Sequence, residues 1–90
     1  METSELLNER GMTHGPYELH ASITQQIKSV MHLQSQNGSS CWAKLKQTQR
    51  ESLDMIAHKI GRILAGDPDF RDHWDDIAGY AKLVADKCSK

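Results

Sequence analysis

Apolar residues recur at intervals of three and four through most of the chain, which is the period of amphipathic helices; no stretch shows the strict alternation of a strand. The clearest run is Thr48 to Leu64, T-Q-R-E-S-L-D-M-I-A-H-K-I-G-R-I-L. Leu53, Ile56, Ala57, Ile60, Ile63 and Leu64 fall on one arc of that helix, the face expected to meet a core. Glu51, Asp54, His58 and Arg62 follow one another on the opposite side and form a polar ridge. Lys59 stands on the border, where its stem can lie on apolar neighbours while its ammonium reaches a cleft. The rest of the chain reads as packing against this helix.

Ser4 can cap a short first helix with Leu6 and Leu7 as its apolar pair, and Gly11 is the expected left-handed residue at its end. M-T-H-G-P-Y then breaks the chain, sets His14 beside Tyr17, and places Pro16 in the first turn of a second helix. From Tyr17 to Gln34 the apolar positions Ile23, Ile27, Val30 and Met31 recur helically, with His20 on the same arc. Q-S-Q-N-G-S-S is a loop, and Trp42 with Leu45 is a short anchor. Trp42 reads either as a plug over the core edge or as an aromatic platform for a base. Thr48 and Glu51 have the T-x-x-E spacing of a capping box, a structural reason for the Glu51 carboxylate. Gly66 and Pro68 end the central helix, and a last helix is expected from Arg71 to Lys87. Its buried arc reads as Trp74, Ile77, Ala78, Ala81, Val84 and Ala85, with His73 and Tyr80 at one margin. Asp76 is the acid of the last helix that can look into a groove, whereas Asp75 points to solvent.

These elements give an all-α fold: one domain over residues 1–90, a small four-helix arrangement with an antiparallel helical hairpin core. Only 38% of the residues are apolar, so the core is thin and a homo-oligomer is expected to help cover it. The formal net charge of -1 leaves no broad footprint for DNA or RNA duplexes, so any anion is bound locally. Cys41 and Cys88 lie far apart and form no C-x-x-C pair, which fits a reducing cytoplasm better than a zinc ribbon or a disulfide scaffold. The acidic amino terminus and the lack of any apolar run near the roughly 20 residues of a membrane span point to a soluble protein without a membrane partner.

The side chains able to carry chemistry are His14, Tyr17, His20, Asp54, His58, Lys59, Arg62, Trp74, Asp76 and Tyr80. Carboxylates on facing helices can hold Mg²⁺. Lys59, Arg62 and a histidine can instead contact phosphate oxygens directly. Each has a plainer reading. Asp54, His58 and Arg62 can be a solvated ladder of charges, and Lys59 can pair with Asp76 across a helix interface. His20 and Trp74, at helical spacing, can be core residues. His14 stands in a Gly-Pro turn where imidazole has less structural reason to be; His32 and His73 have no assigned role, and no zinc spacing occurs among the five histidines.

T-H-G-P-Y, L-D-M-I-A-H-K-I-G-R-I-L and H-W-D-D-I-A-G-Y-A together resemble a family of small bacteriophage and prophage proteins. That family is in turn similar to the MazG-like all-α nucleotide pyrophosphohydrolases, in which acids on two helices bind Mg²⁺ and a D-x-x-x-Y element ends the site. Asp76 and Tyr80 match that element, and Glu51 with Asp54 stand where an E-x-x-E pair would be. His73 departs from the pattern, occupying a position where an acid is expected. The resemblance implies two activities. One is Mg²⁺-dependent nucleoside triphosphate pyrophosphohydrolysis by Glu51, Asp54 and Asp76, with Asp54 and Asp76 on the metal. The other follows if the hydrolytic acids are thinned: a cofactor-free pocket that captures a phosphate-bearing nucleotide, or a cyclic or ADP-ribose-type immune signal, as an anti-defence sponge in the host cytoplasm. In this leading expectation Lys59, Arg62 and His14 hold phosphates and Tyr17 or Trp74 faces the base. A protein-binding phage accessory factor is the third class.

Overall fold

The computed structural model describes residues 11–33, 38 and 40–90. They form three helices, α1 (Tyr17–Met31), α2 (Gln47–Ala65) and α3 (Arg71–Ala85), preceded by a helical turn over residues 11–14. No β-strand occurs among the described residues, as the sequence period requires. The expected cap at Ser4, the Leu6–Leu7 pair and most of the 34–40 loop lie outside the described residues. Among those residues no helix is long and apolar enough to cross a membrane.

The central helix α2 packs against both α1 and α3, and α1 and α3 do not touch each other. A helix with two neighbours has two covered sides, so the polar ridge is not a solvent face. His58 lies with its ring 4.5 Å from that of His20 on α1, and Arg62 is half-buried, while only Glu51 stays exposed. The apolar arc is covered in part. Ala57 and Ile63 are buried, but Leu53 and Leu64 are 41% and 64% exposed. Gly61 permits the close approach of α1: a Cβ there would stand 2.6 Å from His20 Cδ2 and closer still to Thr24 Oγ1. The buried side chains among the described residues are therefore mostly polar: His20, Thr24, Ser52, Lys59 and His73 beside Ala57 and Ile63, with Gly61 buried among them.

Three local expectations are corrected. Gly11 is helical; the left-handed residue that ends the first turn is Gly15, with φ 79°, whose amide donates to Gly11 O at 3.1 Å. Here the chain must turn against Ala65 at the end of α2, where no side chain fits. The Thr48–Glu51 capping box is not formed. Helix α2 begins one residue earlier, and the Lys46 amide donates to Gln49 Oε1 at 2.8 Å, while Arg50 Nη2 holds Ala43 O at 2.8 Å and fixes the entering chain. On α3 the covered arc is rotated by about one residue. His73 is 1% exposed, whereas Trp74 is 53% exposed and Ala78, Ala81 and Ala85 lie open. The rotation has a cause in the turn before it: His73 Nε2 reaches Thr13 O at 3.1 Å, and Trp74 Nε1 donates to Pro68 O at 2.8 Å, so the indole braces the turn from outside. Trp42 is half-buried with its ring 4.4 Å from His32, joining the segment before α2 to the end of α1.

Candidate functional site

A cleft of about 410 Å³ opens between the 11–16 turn, the start of α1 and the last turns of α2, lined by Gly11, His14, Gly15, Pro16, Tyr17, His20, His58 and Arg62. Local sequence builds it. Gly15 takes a positive φ and Pro16 an extended one, φ -60° and ψ 134°, so His14 and Tyr17 come to stand on either side of a sharp corner. The corner is fixed to the opposite turn: Asp67 N donates to Thr13 O at 3.0 Å, and Gly66 sits against the Thr13–His14 backbone where a Cβ would not fit. His58 and Arg62 are four residues apart and project from one face of α2. Tyr17 is 79% exposed at the rim, edge-on to His20 at 6.3 Å.

His14 is held from behind. Its Nδ1 lies 3.0 Å from Thr13 Oγ1 and 3.3 Å from His73 Nε2. Because the Thr13 carbonyl can only accept, the hydrogen-bond network assigns the His73 proton to Nε2, and that N–H also faces His14 Nδ1. A neutral His14 then carries its own proton on Nε2. His73 is thus the support that sequence reasoning left without a role. Its partners lie 59 and 60 residues away, and the only local sign was its helical spacing with Ile77, Tyr80 and Val84.

All three imidazoles of the cleft are held toward the neutral form. Burial does most to lower His14, followed by the charge of Arg62, against a weaker opposing hydrogen bond with the Thr13 backbone. Burial and then Arg62 lower His20 as well, opposed by a hydrogen bond with the His58 backbone. His58 is pushed down to about 4 by burial, then by Arg62, His20, Lys59 and Lys28. The cleft accordingly presents neutral ring nitrogens around a guanidinium. His20 is 4% exposed and its Nε2 has no hydrogen-bond partner.

Five of the expected site residues, His14, Tyr17, His20, His58 and Arg62, therefore meet in one place. The other five do not line it. Lys59, expected on phosphate with Arg62 and His14, is buried on the α3 side of α2, where its Nζ lies 2.7 Å from Asp76 Oδ2. That hydrogen bond and charge hold the Asp76 carboxyl below its ordinary range. Tyr80 borders a shallow depression of α3 with Asp76 and Leu83, Trp74 is occupied by Pro68, and Asp54 is half-buried away from the cleft lining. Among the described residues no group of three or more His, Cys, Asp or Glu stands where it would hold a metal ion. No family model, curated protein or solved structure matches the chain.

Proposed function

We propose that the chain binds and sequesters a phosphate-bearing nucleotide in the cleft of His14, Tyr17, His20, His58 and Arg62. The observation that carries this reading is the union of one guanidinium with three neutral imidazoles and an exposed phenol ring in a cleft of about 410 Å³, a size usual for small-ligand sites. Arg62 supplies the planar fork for phosphate oxygens, the imidazole N–H groups add neutral donors, and Tyr17 offers a face for the base. Retention instead of hydrolysis is supported by the acids. Asp76 is tied to Lys59, Glu51 is exposed, and neither lines the cleft.

The wider reading, also proposed, is a cytoplasmic phage sponge for a cyclic or ADP-ribose-type immune signal, working as a homo-oligomer. Exposed Trp74, Leu83, Leu64 and Val30 support a partner surface, since each is more than half exposed. An antiparallel hairpin of α2 and α3 within one domain is supported by residue order: Lys59 meets Asp76, while Ser52 and Ile56 share a groove with Ala81 and Val84.

Thermal shift with cyclic dinucleotides, ADP-ribose and nucleoside triphosphates, each with and without Mg²⁺, tests the reading when coupled to chromatography of the recovered ligand. Stabilisation with the ligand returned intact is the expected result. Release of pyrophosphate refutes sequestration, and no shift with any nucleotide leaves a protein-binding accessory factor as the better account.

A further inference from the structure

The three helices form a layer, with α1 and α3 on either flank of α2, and the cleft opens on one side of it through Tyr17, His58 and Arg62. The other side is apolar. On α1 the row that meets Gly61 is His20 and Thr24; Tyr17 lies to the cleft side of that row, and Leu19, Ile23 and Val30 share a narrow arc on the far side. On α2 the arc opposite Arg62 holds Leu53, Ile60 and Leu64. Trp74, Ala81 and Ala85 repeat the spacing of that α2 arc on α3, and Leu53 and Ala81 border one groove, which joins the two arcs into one surface. No Asp, Glu, Lys or Arg of the three helices shares these arcs, although 26% of the chain is charged. Leu19, Val30, Leu53, Leu64 and Trp74 are between 41% and 67% exposed.

We propose that this charge-free face docks the same face of a second copy of the chain, leaving the two clefts on the outside of a six-helix dimer. The inference rests on the homo-oligomer reading above and assigns it a surface. The area suffices. Helices of 15 to 19 residues with axes about 8–10 Å apart give a face of roughly 600 Å², and two such faces reach the roughly 1,200 Å² at which stable interfaces begin. Chemistry selects the occupant. A charged surface laid on this face would lose its water and find no counter-charge, so the fitting partner is equally apolar and uncharged. A second copy presents that surface. An anionic lipid surface would need a basic border, but along α3 the bordering Arg71 and Lys82 are paired with Asp75 and Asp86. Shape agrees as well: a two-fold axis along α2 sets α1 of each copy over α3 of the other, so Leu19, Ile23 and Val30 meet the small Ala81 and Ala85. The dimer also supplies the apolar burial that one chain lacks, since among the described residues its buried apolar side chains are Ala57 and Ile63. Leu83 lies beside Asp76 and Tyr80 on the other side of α3, outside the interface.

The test is analytical ultracentrifugation of the full chain from roughly 1 to 200 µM. The expected mass at the upper end is twice the 10.2 kDa of one chain. Leu64→Glu, which puts a carboxylate into the interface from both copies, should weaken dimerisation at least about 100-fold. Val30→Glu should weaken it at least about tenfold, and Leu83→Glu should leave it unchanged. Circular dichroism identifies the folded variants, and either arc variant suffices. Should both unfold, Leu64→Cys decides in a chain with Cys41 and Cys88 changed to serine: an axis along α2 sets residue 64 opposite its counterpart, so a short bismaleimide should link two copies there and not at Leu83→Cys. A monomer throughout the range overturns the proposal together with the homo-oligomer it rests on. A dimer weakened by Leu83→Glu but not by Leu64→Glu, or linked at position 83 but not at 64, keeps the homo-oligomer and overturns this face. Flotation with phosphatidylcholine vesicles that Leu64→Glu abolishes gives the face to lipid and overturns the proposal as well.

Discussion

Replacing Gly61 by alanine tests the packing on which the cleft depends. In the interior of α2 the substitution should favour the helix by about 1 kcal/mol, because glycine there has the greater backbone freedom to lose. The added Cβ, however, would stand 2.6 Å from His20 Cδ2, 3.2 Å from His20 Nε2, and nearer still to Thr24 Oγ1. Thr24 is β-branched and 4% exposed, so its side chain has few rotamers to escape into, and His20 is packed against His58. Helix α1 must therefore retreat by roughly 1 Å, a forced overpacking of the kind that costs about 1–3 kcal/mol. The net expectation for Gly61→Ala is a loss of stability of about 0–2 kcal/mol, or a melting temperature lower by up to roughly 15 °C for a domain of this size, with no net gain. Gly79→Ala on α3 is the matched control. Nothing lies within 4 Å of its Cβ position, so it should raise stability by about 0.5–1 kcal/mol. Circular dichroism melts of both variants, with the ligand thermal shift repeated on each, read the difference. If Gly61→Ala stabilises as much as Gly79→Ala, the close approach of α1 to α2 is refuted, and with it the inner wall of the cleft.

The remaining expectations concern charge and the last helix. His58 has a folded value near 4 against an ordinary 6.5, so the unfolded chain binds more protons in that interval; His14 and His20 are shifted in the same direction. Stability should accordingly rise with pH from about 4 to 6.5 and level off above it, and urea midpoints at pH 5 and 7 should differ less in His58→Gln. Asp76, with its carboxyl lowered by Lys59, contributes stability above the ordinary carboxylate range that is lost as pH falls through its folded value. Asp76→Asn, which strands the buried Lys59 ammonium, should lower the melting temperature more than Lys59→Met, which removes the charge together with the need for a partner; the opposite ranking would show that Lys59 finds another acceptor. Trp74→Phe loses only the bond to Pro68 O, for about 0.5–1.5 kcal/mol in denaturant titration, and should leave nucleotide affinity unchanged. A large affinity loss would return Trp74 to the site.

Much of the fold was readable because helix period and punctuation are local. The starts at Tyr17 and Arg71 and the stop at Gly66 followed from Pro16, the apolar spacing and the Gly66–Pro68 pair. Five cleft residues could be named because polar side chains at helical spacing, or in a Gly-Pro turn, share one side of an element. Which neighbour each side meets was not readable. A hydrophobic arc marks one covered face, but α2 has two, and the second is covered through Gly61 together with His58 and Arg62, two members of what looks like an exposed ridge. The same blindness hid His73, whose burial comes from Thr13 and His14 across the chain, whereas of the two readings open for Lys59 the pairing with Asp76 across the helix interface is the one formed. At the start of α2 two glutamine or glutamate acceptors competed for the cap, and Gln49 won because the chain enters through Lys46.

The absence of contact between the outer two helices has a mechanical consequence. Among the described residues of one chain α2 is the one helix that α1 packs against, so α1 can swing away without disturbing the Lys59–Asp76 clasp on the other flank. Its pivot, the Gly15–Pro16 corner, stays anchored through Thr13 to the turn ahead of α3. The molecule is built like a jaw with one fixed and one movable side, and slow amide exchange should fade first along the movable one.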